Sequence, residues 1–406
     1  MYKPSKEIKP FENGVFLSTP TPHHEMLDYI HLAYDTNLLS TMGENISVVE
    51  SEMAERTGVK YAVGLSSGTS ALHMCVKLAG VKPEDTVFCT DMTFSATVNP
   101  VSYEFGRQVF IDSEYDTWNM DPESLEKAFE KYPDTKVVVV ADLYGTPAKL
   151  DEIRSICDTH GAMLIEDAAE ALGAIYNGKP CGCYGEYNAI SFNGNKVITS
   201  STGGMLLTND EEAVEKVRKW STQARDAAPW YQHSELGYNY RMSNIVAGAL
   251  RGQIPYLDEH IAQKKEIYYR YVEGLKGYPV SLNPVVDSKD TKPNYWLSCL
   301  LVDKDAMCPQ TRTDYVPTFD AQHGKSCPTE ILEALSSVNA IGRPIWKPMH
   351  MQPIFDDYDY VSARGTNPKD FCNEDIFARG LCLPSDNKMT EEEQTIVIEV
   401  IRRCFD

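Results

Sequence analysis

The sequence has no apolar run long enough to cross a membrane, since a spanning helix needs about 20 consecutive apolar residues. Its first residues, Met1-Tyr2-Lys3-Pro4, are not followed by the apolar stretch of a secretory signal peptide. We therefore expect a protein that is neither inserted in a membrane nor secreted. A cytoplasmic location is the corresponding prediction.

Cysteine spacing of the kind that binds zinc or closes a disulfide framework is also missing. The chain has 11 cysteines, and no two of them form a C-x-x-C pair. Cys181 and Cys183 lie close together, but no second pair follows at the spacing of a zinc site. An odd number of cysteines without a secretory signal suits a reducing compartment. We expect reduced, mostly packed cysteines and no metal site.

An excess of basic residues is the third absence. Lys and Arg number 38 against 59 Asp and Glu, which gives a formal net charge of -21. Binding to nucleic acid or to an anionic membrane surface needs clustered positive charge, so neither partner is expected. A small anionic substrate stays compatible with this charge, because a phosphate pocket needs only a few local donors.

The 406 residues exceed a single ordinary core, so two domains are expected. Between about residues 60 and 220, short apolar runs alternate with amphipathic stretches of helical period. Four consecutive valines within 136–141 indicate a strand buried on both faces, which is typical of a parallel sheet. This alternation predicts an α/β fold with strands at residues 61–65, 86–89, 108–111, 136–141 and 162–166.

Helix boundary signals accompany these strands. Asp121 followed by Pro122 predicts a helix start. Gly161 predicts the end of a helix that begins near Asp151. A strand, a helix and the next strand therefore follow one another in the order that parallel sheets require.

The pattern changes near Pro255, beyond which a smaller α+β region is predicted. Thr390 and Glu393 fit a capping box at the start of the last helix, near Glu391. We predict a large domain over residues 1–254 and a small C-terminal domain over residues 255–406. The other elements predicted in the small domain are a helix at 255–275, a strand at 295–302 and a helix at 329–338.

Two segments at predicted strand ends carry groups suited to an anionic ligand. Residues 66–72 join a strand to a helix, where a glycine and free N–H groups favour phosphate, although an ordinary turn is the alternative. Residues 164–170 form an apolar strand that ends in carboxylates, at the edge where α/β sheets bind ligands. Asp167 is placed to meet a ligand cation there, although an acid at this position also caps helices.

Two further segments are polar loops. Lys196 lies in a glycine-containing loop after an apolar strand, and a Gly203-Gly204 step follows it. Most lysines are solvated surface charges, but this loop suits a lysine that must approach a ligand closely. Residues 237–243 are polar and aromatic and precede a helix rich in small residues, for which a surface loop is the alternative.

A phosphate-binding turn, a strand-end acid and a loop lysine are the usual protein contributions to pyridoxal-phosphate chemistry. The lysine forms a Schiff base with the cofactor. The acid keeps the pyridine nitrogen protonated, so that the ring accepts electrons. A charge-assisted hydrogen bond of this kind is roughly twice as strong as a neutral one.

Eight motifs spread over the chain support the same chemistry. They are SGTSAL (67–72), DMTFSAT (91–97), EDAAE (166–170), SFNGNK (191–196), GGM (203–205), GYNYRMS (237–243), RPIWKPMH (343–350) and GLCLP (380–384). This set resembles the DegT/DnrJ/EryC1/StrS sugar aminotransferases. The resemblance implies a fold-type-I pyridoxal-phosphate-dependent transferase of the α/β class. Its large domain would hold a mainly parallel seven-stranded sheet, and the C-terminal domain would be smaller and α+β.

The resemblance also implies roles for residues that bind pyridoxal phosphate. Lys196 would form the Schiff base and Asp167 would pair with the pyridine nitrogen, and both would be catalytic. Gly68, Thr69 and Ser191 would hold the phosphate.

The remaining implied roles concern the ring, the sugar and a second subunit. Phe94 would stack on the cofactor, and Glu170 would lie near both the cofactor hydroxyl and the sugar. Asn239 would reach the phosphate of the neighbouring subunit's cofactor, which implies a homodimer with shared active sites. Thr41 and His350 are further substrate candidates, although a lone His is more often an ordinary packed residue.

Within the family, SFNGNK and the stretch ARDAAPWYQH (224–233) most resemble the branch of bacillosamine-type enzymes. That branch transfers an amino group from L-glutamate to C4 of a UDP-linked 2-acetamido-4-keto-6-deoxy sugar. The implied function is a sugar-nucleotide aminotransferase in surface polysaccharide or glycoprotein glycan synthesis.

Several alternatives stay open at this point. The enzyme would instead act at C3 or on a dTDP- or GDP-linked sugar, or the chain would be a non-catalytic regulator. A regulator would be expected to lack Lys196 or Asp167, and a sugar 3-dehydratase of this family would carry His in place of the lysine. The RPIWKPMH motif disfavours an amino-acid aldolase.

One position departs from the family pattern. The hairpin after the lysine often reads GEGG or SGGG, whereas this chain has Ser201-Thr202-Gly203-Gly204. If the second position needs a positive φ, Thr202 would be strained by roughly 1–3 kcal/mol.

Overall fold

A computed structural model gives the fold, and it describes residues 6–313 and 316–406. The α-helices are α1 (Glu25–Asp35), α2 (Glu44–Thr57), α3 (Gly68–Leu78), α4 (Asn99–Tyr103), α5 (Pro122–Lys131), α6 (Leu150–His160), α7 (Glu211–Trp220), α8 (Asn244–Arg251), α9 (Leu257–Gly274), α10 (Pro328–Ser337), α11 (Cys372–Arg379) and α12 (Glu391–Arg403). The strands are β1 (Tyr61–Leu65), β2 (Thr86–Thr90), β3 (Arg107–Ile111), β4 (Val137–Ala141), β5 (Met163–Asp167), β6 (Ile175–Tyr176), β7 (Lys179–Pro180), β8 (Tyr187–Ser191), β9 (Gly204–Thr208), β10 (Val280–Leu282), β11 (Cys299–Val302), β12 (Gln310–Thr313), β13 (Val316–Phe319), β14 (Arg343–Pro344), β15 (Asp359–Val361) and β16 (Gly380–Cys382).

The large sheet has the order β1-β9-β8-β5-β4-β2-β3-β15 and is mainly parallel, as predicted. Only β9 runs against its neighbours, β1 and β8. Seven of the strands lie between residues 61 and 208, and the eighth, β15, comes from the C-terminal part of the chain. The seven-strand prediction did not include β15, because three residues are too short to show a strand pattern.

Burial explains why the central strands were predictable. All five residues of β4 are buried, as expected for a valine run with helices on both faces of the sheet. Leu125 and Phe129 on α5 are buried four residues apart, and Phe129 packs edge-on against Phe88 with ring centroids 4.8 Å apart.

The predicted helix boundaries depend on capping groups that the structure contains. The Asp121 carboxylate accepts hydrogen bonds from the N–H groups of Glu123 and Ser124 at the start of α5. Gly161 ends α6 in the left-handed conformation, with φ 62°. Thr390 and Glu393 form the predicted capping box of α12. These three predictions are confirmed.

The predicted strand at 295–302 is wrong in its first half, because β11 begins at Cys299. Tyr295 has φ 55°, a left-handed conformation that does not continue a strand. The Asn294 side chain accepts the N–H of Trp296 at 2.9 Å and closes a tight turn there. Side-chain turn chemistry therefore overrides the apolar pattern of this segment.

The C-terminal region has its own sheet, with the order β10-β11-β16-β14, packed against α9, α10 and α12. Val15 belongs to this core, and its N–H donates to the carbonyl of Asn339 at 3.0 Å. In the other direction, β15 pairs with β3 of the large sheet. The chain thus crosses the predicted boundary at residue 255 in both directions, and the two-domain division stays a prediction.

Within residues 6–313 and 316–406, no helix combines the length and the apolar character that crossing a membrane requires.

The carboxyl ends of β4, β5 and β8 are at one edge of the large sheet, because these strands are parallel. Ala141, Asp167 and Ser191 end these strands, and all three line one cavity.

Candidate active site

The cavity at this edge has a volume of about 230 Å³. It brings together most of the residues predicted for the cofactor site, although they come from four separate segments. The predicted residues that line it are Gly68, Thr69, Phe94, Asp167, Glu170, Ser191 and Lys196.

The start of α3 forms one wall of the cavity. Ser67 caps the helix, because its hydroxyl accepts the N–H of Ser70 at 3.0 Å while the Ser70 hydroxyl accepts the N–H of Ser67 at 2.9 Å. A Cβ at Gly68 would lie 2.9 Å from the Cβ of Ser191, so only glycine allows this approach. The first N–H groups of the helix have no partner within it, and a phosphate fits beside them.

Asp167 lies at the base of the cavity at the end of β5, and it is 7% exposed. Its carboxylate accepts hydrogen bonds from the hydroxyl of Thr97 at 2.6 Å and the N–H of Ala169 at 3.0 Å. The residues that follow form turns, so Asp167 does not cap a helix. Burial raises the pKa of Asp167, and these hydrogen bonds and the charge of Lys196 only partly oppose it.

The electrostatics of Asp167 fit the nitrogen of a pyridine ring. In the described part of the chain, no Lys, Arg or His nitrogen lies within 4.0 Å of its carboxylate. A buried carboxylate is costly unless a cation or several donors face it. A protonated ring nitrogen would supply the missing charge, and the cavity leaves room for the ring beside Asp167.

Lys196 enters the same cavity, and its side chain is only 14% exposed. Its Nζ lies 3.5 Å from Oε1 of Glu170 and 4.2 Å from the ring centroid of Trp296. Oε2 of Glu170 accepts the N–H of Tyr144 at 2.8 Å, which fixes the carboxylate. Burial raises the pKa of Glu170, and the Lys196 charge opposes this shift. Lys196 is therefore not the solvated surface lysine of the alternative interpretation.

Aromatic rings line the other side of the cavity. Phe94 is 52% exposed, and its ring centroid is 5.4 Å from that of Trp346. About half of the Phe94 surface is thus free of contacts with this chain, and stacking on a cofactor needs such free ring surface. The stacking role of Phe94 stays a prediction.

Of the lining residues that were not predicted for the site, four bear on its chemistry: Thr97, Trp346, Trp296 and Asp142. Thr97 lies in the motif at 91–97, which follows β2, and its place in that motif was the signal available from the sequence. Its hydroxyl donates to Asp167. Trp346 also lies in a motif, but nothing local indicates that it faces the cavity. Trp296 and Asp142 are in none of the motifs, so only the folded chain identifies them.

Three predicted residues lie outside the cavity lining. Asn239 is exposed and forms a single β-bridge with Thr222. Thr41 is half-buried and lies just before α2. His350 is tied to two carboxylates rather than to the cavity, and the roles of all three stay predictions.

The surroundings of His350 are those of a packed ion pair. Its Nδ1 is 2.7 Å from Oδ2 of Asp91, and its Nε2 is 3.3 Å from Oε1 of Glu374. Burial lowers the pKa of His350, but the two carboxylates outweigh burial and raise it above its usual value. His350 therefore links the segment that follows β2 to α11.

Thr202 does not carry the strain considered above. The positive φ angles fall on its neighbours, 76° at Ser201 and 117° at Gly203. The hydroxyl of Thr202 donates to the carbonyl of Ser66 at 2.8 Å. Thr202 therefore links the lysine loop to the segment before α3 without an unfavourable backbone conformation.

A second pair of carboxyl groups lies behind Asp167. Atoms of Asp142, Glu166 and Cys181 lie within 4.8 Å of one another, and all three residues are buried. Glu166 accepts N–H donors from Gly182 at 2.6 Å and Tyr184 at 2.8 Å. Burial, followed by the charge of Glu166, raises the pKa of Asp142 well above its usual range. The side-chain hydrogen bond with Glu166 acts in the same direction, so burial and this neighbour both favour a proton on Asp142.

The mainly parallel sheet, the lysine and the unpaired buried acid define an enzyme of the pyridoxal-phosphate transferase class. The chain belongs to the DegT/DnrJ/EryC1/StrS aminotransferase family, whose model matches residues 21–402. Membership confirms the predicted aminotransferase class and its pyridoxal-phosphate cofactor.

Individual relatives agree with this assignment. The chain is 43% identical over 395 residues to the "Putative pyridoxal phosphate-dependent aminotransferase EpsN" of Bacillus subtilis, with 96% of each chain covered. It is 31% identical over 377 residues to a GDP-perosamine synthase of Caulobacter vibrioides, which covers 92% of this chain and 94% of that relative.

Solved structures agree on the fold. The Helicobacter pylori aminotransferase PseC, described as involved in the biosynthesis of pseudoaminic acid, has a TM-score of 0.82 against this chain. The two are 21% identical, and the match covers 97% of this chain and 99% of that one. At this level of identity, the similarity concerns the fold alone.

Proposed function

We propose that this protein transfers an amino group from L-glutamate to C4 of a nucleotide-linked 4-keto-6-deoxy sugar. UDP-2-acetamido-4-keto-2,6-dideoxyhexose is the proposed acceptor, and its amino sugar would enter surface polysaccharide or glycoprotein glycan synthesis. The observation that carries the proposal is the cavity where Lys196 Nζ lies 3.5 Å from Glu170 and where no cationic side chain of the described residues pairs with Asp167. The choice of sugar depends on the resemblance of 191–196 and 224–233 to the bacillosamine-type branch.

The residues at the base of the cavity would bind and orient the cofactor. Pyridoxal phosphate, when bound, supplies an aromatic ring that withdraws electrons from the carbon that loses a proton. The N–H groups of Gly68 and Thr69 and the hydroxyl of Ser191 would hold its phosphate. Asp167, oriented by Thr97, would keep a proton on the ring nitrogen.

Lys196 would move the proton that amino transfer requires. Its Nζ, as a neutral amine, would take a proton from Cα of glutamate. It would then return a proton to the cofactor carbon that is joined to the same nitrogen. Glu170 would hold the ammonium group between these steps, because Oε1 lies 3.5 Å from Nζ. Glutamate would then leave as its 2-keto acid, having exchanged its amino group for oxygen from water. The same proton transfers in the opposite direction would place the amine on the sugar carbon, whose keto oxygen leaves as water.

A homodimer with shared sites is part of the proposal. Asn239 is exposed on this subunit and would reach the cofactor of the other one. Exposed apolar side chains lie on α1 and in the segment after it, which includes Thr41. Exposed apolar side chains of this kind are typical of a protein interface. These side chains are Leu27, Tyr34, Leu38, Leu39 and Met42.

Two alternatives concern the substrate, and one concerns catalysis. The relative from Caulobacter is named for a GDP-linked sugar, so a GDP or dTDP nucleotide is an alternative to UDP. Amination at C3 is the second alternative, because a 33% identical relative over 244 residues is named a 3-aminotransferase. Lys196 and Asp167 are both present, which argues against a non-catalytic regulator.

The proposal is tested by incubating the protein with pyridoxal phosphate, L-glutamate and a panel of keto sugars. The panel contains UDP-, dTDP- and GDP-linked 4-keto sugars and a UDP-linked 3-keto sugar, and Lys196→Ala is the control. We expect an amine at C4 of the UDP sugar, identified by mass and NMR. An amine at C3, or only on another nucleotide, would replace the proposed substrate. Cofactor binding without amination of any sugar would favour a regulator.

A further inference from the structure

The loop that carries Lys196 connects β8 to β9 and has no regular secondary structure. A few internal hydrogen bonds hold it, including Lys196 N–H to the carbonyl of Asn193 at 3.0 Å and Ser200 N–H to that of Phe192 at 3.0 Å. The carbonyl groups immediately before and after the lysine, on Asn195 and Val197, are bound by side chains from outside the loop.

Two buried ring N–H groups bind these two carbonyls. Nε1 of Trp296 donates to the carbonyl of Asn195 at 2.7 Å. Nδ1 of His260 donates to the carbonyl of Val197 at 2.8 Å. Trp296 and His260 are each 1% exposed, and they come from separate elements, the turn before β11 and helix α9. The backbone is therefore held on both sides of the lysine.

The His260 ring is itself fixed. A carbonyl can only accept, so the hydrogen is on Nδ1 and Nε2 is left as an acceptor. Nε2 of His260 faces Nε2 of His23 at 3.0 Å, and His23 stacks on Tyr256 with ring centroids 3.4 Å apart. Burial lowers the pKa of His260, and the neighbouring charge of Lys264 acts in the same direction. Burial therefore favours the neutral ring, although the bond to the Val197 carbonyl opposes the shift, and in that ring the hydrogen is on Nδ1.

Trp296 contacts the lysine side chain as well as the loop backbone. The face of its indole ring lies 4.2 Å from Nζ of Lys196. Its backbone carbonyl accepts a hydrogen bond from the buried Nζ of Lys264 at 3.1 Å, and its backbone N–H donates to Asn294 Oδ1 at 2.9 Å. A side chain anchored at these points confines both the backbone and the amine of Lys196.

We propose that Trp296 and His260 are positioning residues, which hold the backbone on both sides of Lys196 and so define where its amine lies. A lysine side chain has four rotatable bonds, so a fixed Cα is needed before contacts with Glu170 and Trp296 can restrict Nζ. Displacement by about 1 Å can cost on the order of 100-fold in rate. The inference depends on the proposed function only through the role of Lys196.

The test uses variants that remove one donor at a time. Trp296→Phe keeps an aromatic face near Nζ but removes the N–H, and His260→Leu removes the other donor. His260→Asn is the conservative variant, because its amide nitrogen lies at the same branch point as Nδ1. Trp220→Phe is the matched control. Trp220 Nε1 donates to Glu235 at 2.8 Å, and neither residue lines the cavity.

Hydrogen exchange of residues 193–201, measured in the protein without cofactor, is the first readout. We expect faster exchange in Trp296→Phe and His260→Leu, near wild-type exchange in His260→Asn, and no change in Trp220→Phe. Unchanged exchange in both donor-removing variants would overturn the inference. If His260→Leu does not fold, Trp296→Phe and His260→Asn carry the comparison.

Steady-state kinetics at saturating cofactor are the second readout. We expect kcat to fall about 10- to 100-fold in the two donor-removing variants, with KM for glutamate little changed. A loss confined to thermal stability or KM would indicate a merely structural role and overturn the inference. If Lys196→Ala itself stays active, the proposed function fails, whereas the exchange result still reports on the loop.

Discussion

At the residue scale, the site depends on which carboxyl groups are charged. Asp167 is buried without a protein cation, whereas Asp142 and Glu166 lie against each other behind it. Two ionised carboxylates in contact would be costly in a buried site, so a proton on Asp142 relieves their repulsion. Glu170 faces Lys196 in the cavity, whereas Asp167 has no Lys, Arg or His nitrogen of the described residues within 4.0 Å, so a ring cation would bind at Asp167.

A proton on Asp142 predicts a small effect on stability for one substitution of this residue and a larger effect for another. In the native protein the Ala148 N–H donates to Asp142 Oδ1 at 2.8 Å. An Asn side chain would still accept this hydrogen bond through its oxygen and could donate to Glu166 through its amide nitrogen. We expect Asp142→Asn to change the free energy of unfolding at neutral pH by less than about 1 kcal/mol, whereas Asp142→Leu should cost about 1–3 kcal/mol. Urea denaturation measures both. A large cost for the Asn variant would mean that Asp142 is ionised.

Sequence motifs identified the residues that act through their own side chains. Lys196, Asp167 and Gly68 each lie in a short pattern with a direct chemical reason. Trp296 and His260 act instead through backbone carbonyls that are 101 and 63 positions away along the chain. No local pattern encodes such contacts, so they were not predictable from the sequence.

At the element scale, the start of α3 and the end of β8 must approach closely to form the phosphate site. Gly68 makes this approach possible, because a Cβ there would lie 2.9 Å from Ser191 Cβ. We expect Gly68→Ala to weaken binding of pyridoxal phosphate at least about tenfold, or about 1.4 kcal/mol, while the protein stays folded. Cofactor titration followed by absorbance measures this change.

Gly194→Ala is the control for that variant. Gly194 lies in the lysine loop, but the nearest atom to an added Cβ would be 3.9 Å away. Its cofactor affinity should match that of the wild type. Equal affinities for both alanine variants would show that the close approach at Gly68 is not needed.

Helix α9 contains a buried lysine whose titration should affect stability. Lys264 donates to the carbonyls of Trp296 at 3.1 Å and Ser385 at 3.0 Å, and burial lowers its pKa from 10.5 to about 7. Between these pKa values the unfolded chain binds more protons than the folded one. This group therefore makes the free energy of unfolding rise with pH in that window, by at most about 1.4 kcal/mol per pH unit.

Lys264→Met and the exposed control Lys265→Met test this prediction. Relative to Lys264→Met, the wild type should gain stability as the pH is raised from about 7 toward 10.5. Relative to Lys265→Met, it should show little such gain. Urea denaturation across the pH range measures both differences, and a difference from Lys264→Met that does not vary with pH would contradict the lowered pKa.

Element prediction succeeded where the chain itself contains the signal. The valine run of β4 and the caps of α5 and α12 were predicted from local residues, and the structure contains them. The start of β11 was wrong, because a turn at Asn294 interrupts the apolar pattern. The short strand β15 depends on pairing with β3, which no local pattern indicates.

At the scale of the whole molecule, the proposed dimer predicts that two inactive subunits can restore one active site. Asn239→Asp would place a negative charge beside the phosphate of the partner's cofactor, and Lys196→Ala would remove the lysine. Each variant alone should lose most of its activity. When the two are mixed and allowed to exchange subunits, part of the activity should return, because one hybrid site contains both native residues.

The control for this experiment mixes Lys196→Ala with Asp167→Asn, since both residues line the same cavity of one chain. Each site of such a hybrid lacks one of the two native residues, so no activity should return in this control. If mixing with Asn239→Asp also restores no activity, although differently tagged subunits of the two variants co-purify as dimers, Asn239 serves its own subunit. A monomer in solution would contradict the shared site altogether.

The central claim is that Lys196 binds the cofactor in the cavity that contains Asp167. The most direct measurement is reduction of the pyridoxal-phosphate-loaded protein with borohydride, followed by proteolysis and mass spectrometry of the peptides. The account predicts a phosphopyridoxyl group on Lys196 alone, and none there when Lys196→Arg is treated in the same way. A group fixed on another lysine, or no group on any peptide of fully loaded protein, would contradict it.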